Sequence, residues 1–262
     1  MQLFFRTINL NILICLCAHA ILMGAACSSS DDTPSITVFA AASLQEPLMD
    51  IAHEYSARND IKAYLNLGGS TSLANQIIRG APADIFISAG RTSTGTLLAR
   101  GIVEPQHVDS WLTNEMLMVT AKPNRFIDRG IEIVLDNTVA IADPELAPAG
   151  RYAKECINSF GMWDQIEYSV VRAPNVRAAL AFVETGSADL AFIYRTDLQL
   201  SGTVEKVFQC PEGSHSSIEY LVSLVPSGES VQHGVDFIKF LNSEYAIGIM
   251  GNYGFTVIEQ SE

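Results

Sequence analysis

Residues 68–77 read GGSTSLANQI, and the fold turns on how this stretch is read. The apolar run IKAYLNL (61–67) precedes it, and a helical pattern continues through it to a stop at Gly80. It is therefore a corner where a strand hands over to a helix. One hydroxyl is enough to cap a helix N-terminus. Three hydroxyls behind two glycines are more than a cap requires, and they suit a backbone that approaches a ligand closely and offers it O–H and N–H donors.

Working outward, the same handover recurs. ITVFAAA (36–42) has the unbroken apolar character of a buried strand, and SLQEPLMDIAHEYSARN (43–59) places Leu44, Leu48, Ile51 and Ala52 on one helical face. ADIFISA (83–89) is a third strand. In the second half, IEIVLDNTVAIADP (131–144) contains a strand, RYAKECINSFGMW is a helix, IEYSVVRA (166–173) a strand, NVRAALAFVETG a helix and ADLAFIY a strand. A further strand, IEYLVSLV, and a helix, VQHGVDFIKFLNS, lead into a short closing segment.

Alternation on this scale predicts an α/β fold with mostly parallel sheets flanked by helices. IIRGAPADIFIS and FVETGSADLAFIY run alike from a glycine stop (Gly80, Gly186) through Ala-Asp into an apolar strand, with Asp84 and Asp189 in equivalent places. The expectation is two similar lobes. No low-complexity linker divides them, so a hinge and a cleft are expected between them.

The 262 residues are 48% hydrophobic and carry a formal charge of -13, with the basic residues scattered. That distribution excludes a nucleic-acid footprint. Arg6 is followed by the uncharged run 10–26 ending in small residues, then at once by polar SSSDDTPS. Residues 1–26 are read as a secretory signal peptide rather than a spanning helix. Gly24-Ala25-Ala26-Cys27 resembles a bacterial lipobox, which makes Cys27 the expected lipid attachment point and residues 27–35 a flexible tether. Plain cleavage after Ala26 is the other reading. In an exported protein Cys156 and Cys210 either pair or remain free thiols.

Four strand-to-helix corners stand out: Ser43, Ser70, Pro148-Ala149-Gly150 and Asn175-Val176. Ligands of open α/β sheets sit at such corners, where free amides and the positive ends of helix dipoles hold anions. Each corner alone has a plainer account. Ser43 with Glu46 fits a capping box, Ser70 and Asn175 fit N-caps, and Pro148-Ala149-Gly150 fits a turn.

Charge narrows the ligand. A strongly acidic protein repels anions at long range, so it must hold one with close, aimed, neutral donors. Such donors favour a fully deprotonated oxyanion, because a protonated one would need a carboxylate acceptor. The only acidic residue at these corners is Glu46, and its capping role would aim it away. A hydrolase using Ser43 or Ser70 would need a base, yet there is no G-x-S-x-G elbow. The histidines at 19, 53, 107, 215 and 233 have no ligand spacing.

FAAASL, GGSTSLANQI, GAPADIFISA, ADPELAPAGRYAKE, NVRAALAFVETG and FIYRTD, in that order, resemble the periplasmic molybdate-binding proteins of ABC-type importers. The similarity runs from Ile36 to about Phe255 and ends at NYGF. It implies a class II solute-binding protein, with residues 36–112 and 220–262 in one lobe and 113–219 in the other. It would close on molybdate or tungstate as a monomer and deliver the ion to an ABC-type permease in the cytoplasmic membrane. It would carry no cofactor and no direct cation ligands. Carried over position by position, the ligand residues would be Ser43 and Ser70 through hydroxyl and amide, Ala149 and Val176 through amides, and Tyr194 through its phenol. Tyr194 enters only by this resemblance. The same fold with sulfate or phosphate is the alternative.

Three positions depart from the family pattern: Gly90, Arg151 and Arg195. The two arginines are read as solvated surface charges, with an approach to the anion as the other possibility.

Overall fold

The computed structural model describes residues 33–226 and 231–258. The expected signal peptide and Cys27 lie outside them. The first layer opens with β1 (Ser35–Ala41), a 3-10 turn (Ala42–Leu44) and helix α1 (Gln45–Asn59). β2 (Lys62–Gly68), α2 (Ser70–Ile78), β3 (Ile85–Ser88), α3 (Arg91–Ala99) and β4 (Val108–Thr113) follow.

The chain then enters a second layer. This comprises β5 (Met116–Ala121), β6 (Val139–Ala142), α4 (Pro148–Ser159), α5 (Trp163–Ile166), β7 (Val171–Ala173), α6 (Val176–Glu184), β8 (Leu190–Tyr194), α7 (Arg195–Leu200) and β9 (Val204–Gln209). It returns with β10 (Glu219–Leu224), α8 (Val231–Leu241), α9 (Glu244–Asn252) and β11 (Thr256–Val257).

The first sheet has the order β11-β4-β10-β3-β1-β2 and the second β7-β6-β8-β5-β9. The chain thus crosses between sheets at 114–115 and again at 210–218. β1 pairs in parallel with β2 and β3, and β6 with β7 and β8. These are the strands whose unbroken apolar runs mark them as covered on both faces: Ile36, Val38 and Ala40 in β1 and Ala140, Ile141 and Ala142 in β6 are wholly buried. β10, β4 and β5 pair antiparallel with their neighbours, so both sheets are mixed.

The resemblance between the halves, a glycine stop separated by no more than two residues from Ala-Asp, has a structural counterpart. Asp84 Oδ2 accepts from Thr37 N–H at 2.7 Å and the Asp84 amide donates to Thr37 O at 2.9 Å. Asp189 Oδ2 accepts from Thr138 N–H at 3.0 Å and its amide donates to Thr138 O at 2.9 Å. Each aspartate therefore fixes the start of the neighbouring parallel strand, after a glycine at positive φ (Gly80 91°, Gly186 73°) has stopped the preceding helix.

The strand expected over 166–173 is shorter than its apolar pattern. Trp163–Ile166 is a helical turn, Tyr168 is exposed, and only Val171–Ala173 pairs. Cys156 on α4 and Cys210, just past β9, form a disulfide.

Candidate functional site

The structure brings Ser43, Ser70, Ala149, Val176 and Tyr194 into the wall of one cavity, completed by Ala42, Gly69, Pro148 and Asn175 among others. Its volume, about 10 Å³ counted as positions open to the centre of a water-sized sphere, is far below the range of pockets that hold drug-sized ligands. No residue lining it carries a charged side chain.

Local sequence explains the donors. Ser70 is the first residue of α2, Val176 the first of α6 and Ala149 the second of α4. Amides at these positions have no intrahelical acceptor, and the helix dipole is positive there. Pro148, ahead of Ala149, lacks an N–H and sits where none is needed. Asn175 is a true cap, its Oδ1 accepting from Ala178 N–H at 3.0 Å.

The serines are not caps. The residue before α2 is Gly69, without a side-chain cap, and Ser70 Oγ instead accepts from Ala89 N–H at 3.1 Å. This ties the end of β3 to the cavity and leaves the Ser70 hydrogen for another partner. The Ser43–Glu46 capping box does not form either. Ser43 lies inside the 3-10 turn with its Oγ 2.8 Å from Tyr220 Oη, while Glu46 pairs with Arg177 of the second layer. Glu46 is thus turned from the cavity by an ion pair across the cleft rather than by a cap.

Tyr194 ends β8, is 1% exposed, and its Oη has no hydrogen-bond partner among the described residues. Burial raises its pKa well above the ordinary value, so the phenol stays a donor throughout the physiological range. A buried hydroxyl without an acceptor, facing a cavity, is a donor aimed at whatever fills it. Nothing in the strand pattern of ADLAFIY marks the tyrosine.

Both glycines line the cavity, and Gly69 has a use beyond the one its sequence suggests. A Cβ at Gly69 would lie 2.4 Å from Leu146 O and 2.8 Å from Pro174 O, both in the second layer, whereas one at Gly68 would make ordinary contact with Leu73. Gly69 thus lets the two layers close on each other. Arg195 is no free surface charge: it donates to Gly254 O at 2.9 Å and pairs with Glu115. Arg151 stands over the Tyr152 ring, its guanidinium carbon 5.8 Å from the centroid, and beside Gly90.

Among the described residues no cluster of His, Cys, Asp and Glu could hold a metal ion, and no helix is long and apolar enough to cross a membrane.

Two helix-flanked sheets closed over a small cavity lined by neutral donors define a two-lobed binding protein. The chain belongs to the family of bacterial extracellular solute-binding proteins, which it matches over residues 36–256. It is 34% identical to the molybdate-binding protein ModA of Escherichia coli K12, over 86% of this chain and 90% of that one. To the putative ABC transporter substrate-binding lipoprotein YvgL of Bacillus subtilis it is 31% identical, over 90% and 94%. Among solved structures, the substrate-binding domain of a putative molybdenum ABC transporter from Clostridium difficile superposes with a TM-score of 0.64 at 29% identity, covering 86% of this chain and 99% of that one. The periplasmic molybdate-binding protein of Azotobacter vinelandii shares the fold, with a TM-score of 0.75 at 21% identity and coverage of 86% and 100%.

Proposed function

We propose that this protein captures molybdate or tungstate outside the cytoplasm and hands it to an ABC-type permease. The observation that carries this reading is the convergence of Ser43, Ser70, Ala149, Val176 and Tyr194 on one small cavity with no carboxylate in its wall. Tetrahedral dianions present oxygen acceptors in every direction and no proton. A ring of O–H and N–H donors satisfies them, while hydrogen phosphate would leave its own O–H without an acceptor. The molybdate-binding relatives support the choice of ion.

Residues 36–112 with 220–262, and 113–219, act as the two lobes, hinged at the crossovers near 114 and 218. Contacts from both lobes favour the closed state when the ion is present. The mature protein works as a monomer, held at the membrane by lipid on Cys27. Labelling with a radioactive fatty acid should mark the wild type and spare Cys27→Ala.

Calorimetric titration of the purified mature domain with molybdate, tungstate, sulfate and phosphate tests the ligand. Molybdate and tungstate should bind tightly and raise the melting temperature by mass action, and the other two should do so weakly or not at all. Preference for phosphate, or no heat with any of the four, would overturn the reading.

A further inference from the structure

To serve an anion, Ser43 must present its hydrogen rather than a lone pair, and a hydroxyl rotor is free to do either. Here its direction is set from outside the cavity. Ser43 Oγ lies 2.8 Å from Tyr220 Oη, with both residues buried. Tyr220 Oη also accepts from Asn114 Nδ2 at 3.3 Å. The Asn114 amide cannot be the other way round. Its Oδ1 accepts from Glu115 N–H at 2.9 Å, and the second Nδ2 hydrogen goes to Thr196 Oγ1 at 2.9 Å.

An amide nitrogen donates and never accepts. Of the two groups bonded to the Tyr220 hydroxyl, only Ser43 Oγ can therefore take its hydrogen. The opposite polarity, with Ser43 donating to Tyr220, would leave a wholly buried phenolic hydrogen without an acceptor. The polarity of the chain thus runs Asn114 to Tyr220 to Ser43, and the Ser43 hydrogen is left for the cavity. Burial keeps the Tyr220 phenol protonated far above neutral pH, so the chain does not lapse.

The placement adds a second consequence. Asn114 stands where the chain leaves the first sheet, Tyr220 where it has just returned, and Thr196 at the head of α7 in the second layer. The group that orients Ser43 is built across both crossovers.

We infer that Asn114 and Tyr220 are positioning residues for anion capture: anchored at the two crossovers, they fix the Ser43 hydroxyl as a donor into the cavity. This rests on the reading of that cavity as the oxyanion site.

A double-mutant cycle with molybdate as the probe tests it. Tyr220→Phe keeps the ring and removes the hydrogen that orients Ser43, and it should weaken molybdate binding about tenfold, the scale of one hydrogen bond made free to turn away. In a Ser43→Ala background the same change should alter affinity less than about twofold, because there is no rotor left to orient. Asn114→Asp keeps the acceptor for Glu115 N–H but replaces the donor with a carboxylate. That carboxylate would draw the Tyr220 hydrogen to itself and reverse the chain, so Ser43 would offer a lone pair. Its loss should exceed that of Tyr220→Phe; the added charge repels the anion in either background, and the part of the loss that passes through the hydroxyl should vanish when Ser43 is alanine.

Equal losses in both backgrounds, or none for Tyr220→Phe, would overturn the inference and leave the site standing. An unchanged affinity in Ser43→Ala alone would instead sink the site. If Tyr220→Phe does not fold, the Asn114→Asp cycle decides by the same criteria.

Discussion

The amide of Ser72 on α2 donates to the carbonyl oxygen of Leu146, just before α4, at 3.1 Å, so the backbones of the two layers are hydrogen-bonded directly, next to the cavity-lining residues Ser70 and Ala147. Gly69 makes that approach possible, because a Cβ there would press into Leu146 O and Pro174 O. Its φ of -68° and ψ of 128° are open to any residue, so alanine would not strain the isolated loop. Gly69→Ala should leave the ligand-free protein as stable as wild type and weaken molybdate binding at least tenfold, about 1.4 kcal/mol. Small-angle scattering should show that the variant fails to compact on adding molybdate. Normal compaction with normal affinity would remove Gly69 from closure.

Arg177 connects the layers by charge. Its Nε lies 2.8 Å from Asp197 Oδ1 within the second layer, and its other end pairs with Glu46 of the first. Asp197 is fully buried and also accepts from Tyr194 N–H, holding the end of β8. Burial raises its pKa to about 6 from the usual 3.8, with Arg177 and the Tyr194 amide pulling it partly back. A carboxyl that binds its proton more tightly when folded contributes stability below pH 3.8 and loses it as pH rises through 6.

At ~1.4 kcal/mol per pH unit the loss amounts to about 3 kcal/mol. Asp197→Asn removes the titration while keeping an acceptor for the Tyr194 amide. The stability of this variant relative to wild type should therefore rise by up to about 3 kcal/mol between pH 4 and pH 7 in urea titrations. A difference that stays flat across that range would show that Asp197 is ionised throughout.

How much of this was legible in the sequence depends on how local the cause is. β1, β6 and β8 were readable because parallel strands covered on both faces need unbroken apolar runs, and Asp84 and Asp189 because each repeats a turn chemistry within a few residues. β4 and β9 are not legible in the same way, because VDSWLT and VEKVFQ are of mixed polarity and their pairing partners are distant in the chain; β5 (MLMVTA) is apolar enough to read, but its partners β8 and β9 are equally distant and nothing local marks its pairing. The corners at Ser43, Ser70, Ala149 and Val176 were visible as strand-to-helix handovers. What Ser43 and Glu46 bond to was not, since Tyr220 and Arg177 are 177 and 131 residues away and a local capping box fits the same letters. Tyr194 needed a relative, because an aromatic residue at a strand end has no distinguishing pattern.

The disulfide joins α4, which begins at the cavity, to the segment by which the chain returns to the first sheet. It closes a span of 54 residues, for which loop-closure entropy predicts about 4 kcal/mol of stabilisation. Replacing both Cys156 and Cys210 by alanine, or adding reductant under unfolding conditions, should lower the unfolding free energy by roughly that amount in urea. A change under about 1 kcal/mol would mean that the oxidised link does not persist in the mature protein.

Tyr194 and Ser70 should separate ligand binding from folding. The Ser70 hydroxyl accepts the Ala89 amide, so Ser70→Ala strands a buried N–H and should lower stability by ~1–3 kcal/mol as well as affinity. The Tyr194 hydroxyl serves no other group among the described residues. Tyr194→Phe removes a buried donor that the fold does not use and leaves the ring packed near Tyr220, 6.1 Å between centroids. Ligand-free stability should hold or rise, while molybdate affinity falls by ~1.5–3 kcal/mol, the worth of a hydrogen bond to a charged group. Differential scanning calorimetry beside isothermal titration reads both quantities on one preparation. If Tyr194→Phe lost stability and kept its affinity, the phenol would be a part of the core, and the cavity would have to hold its ion with the serines and amides alone.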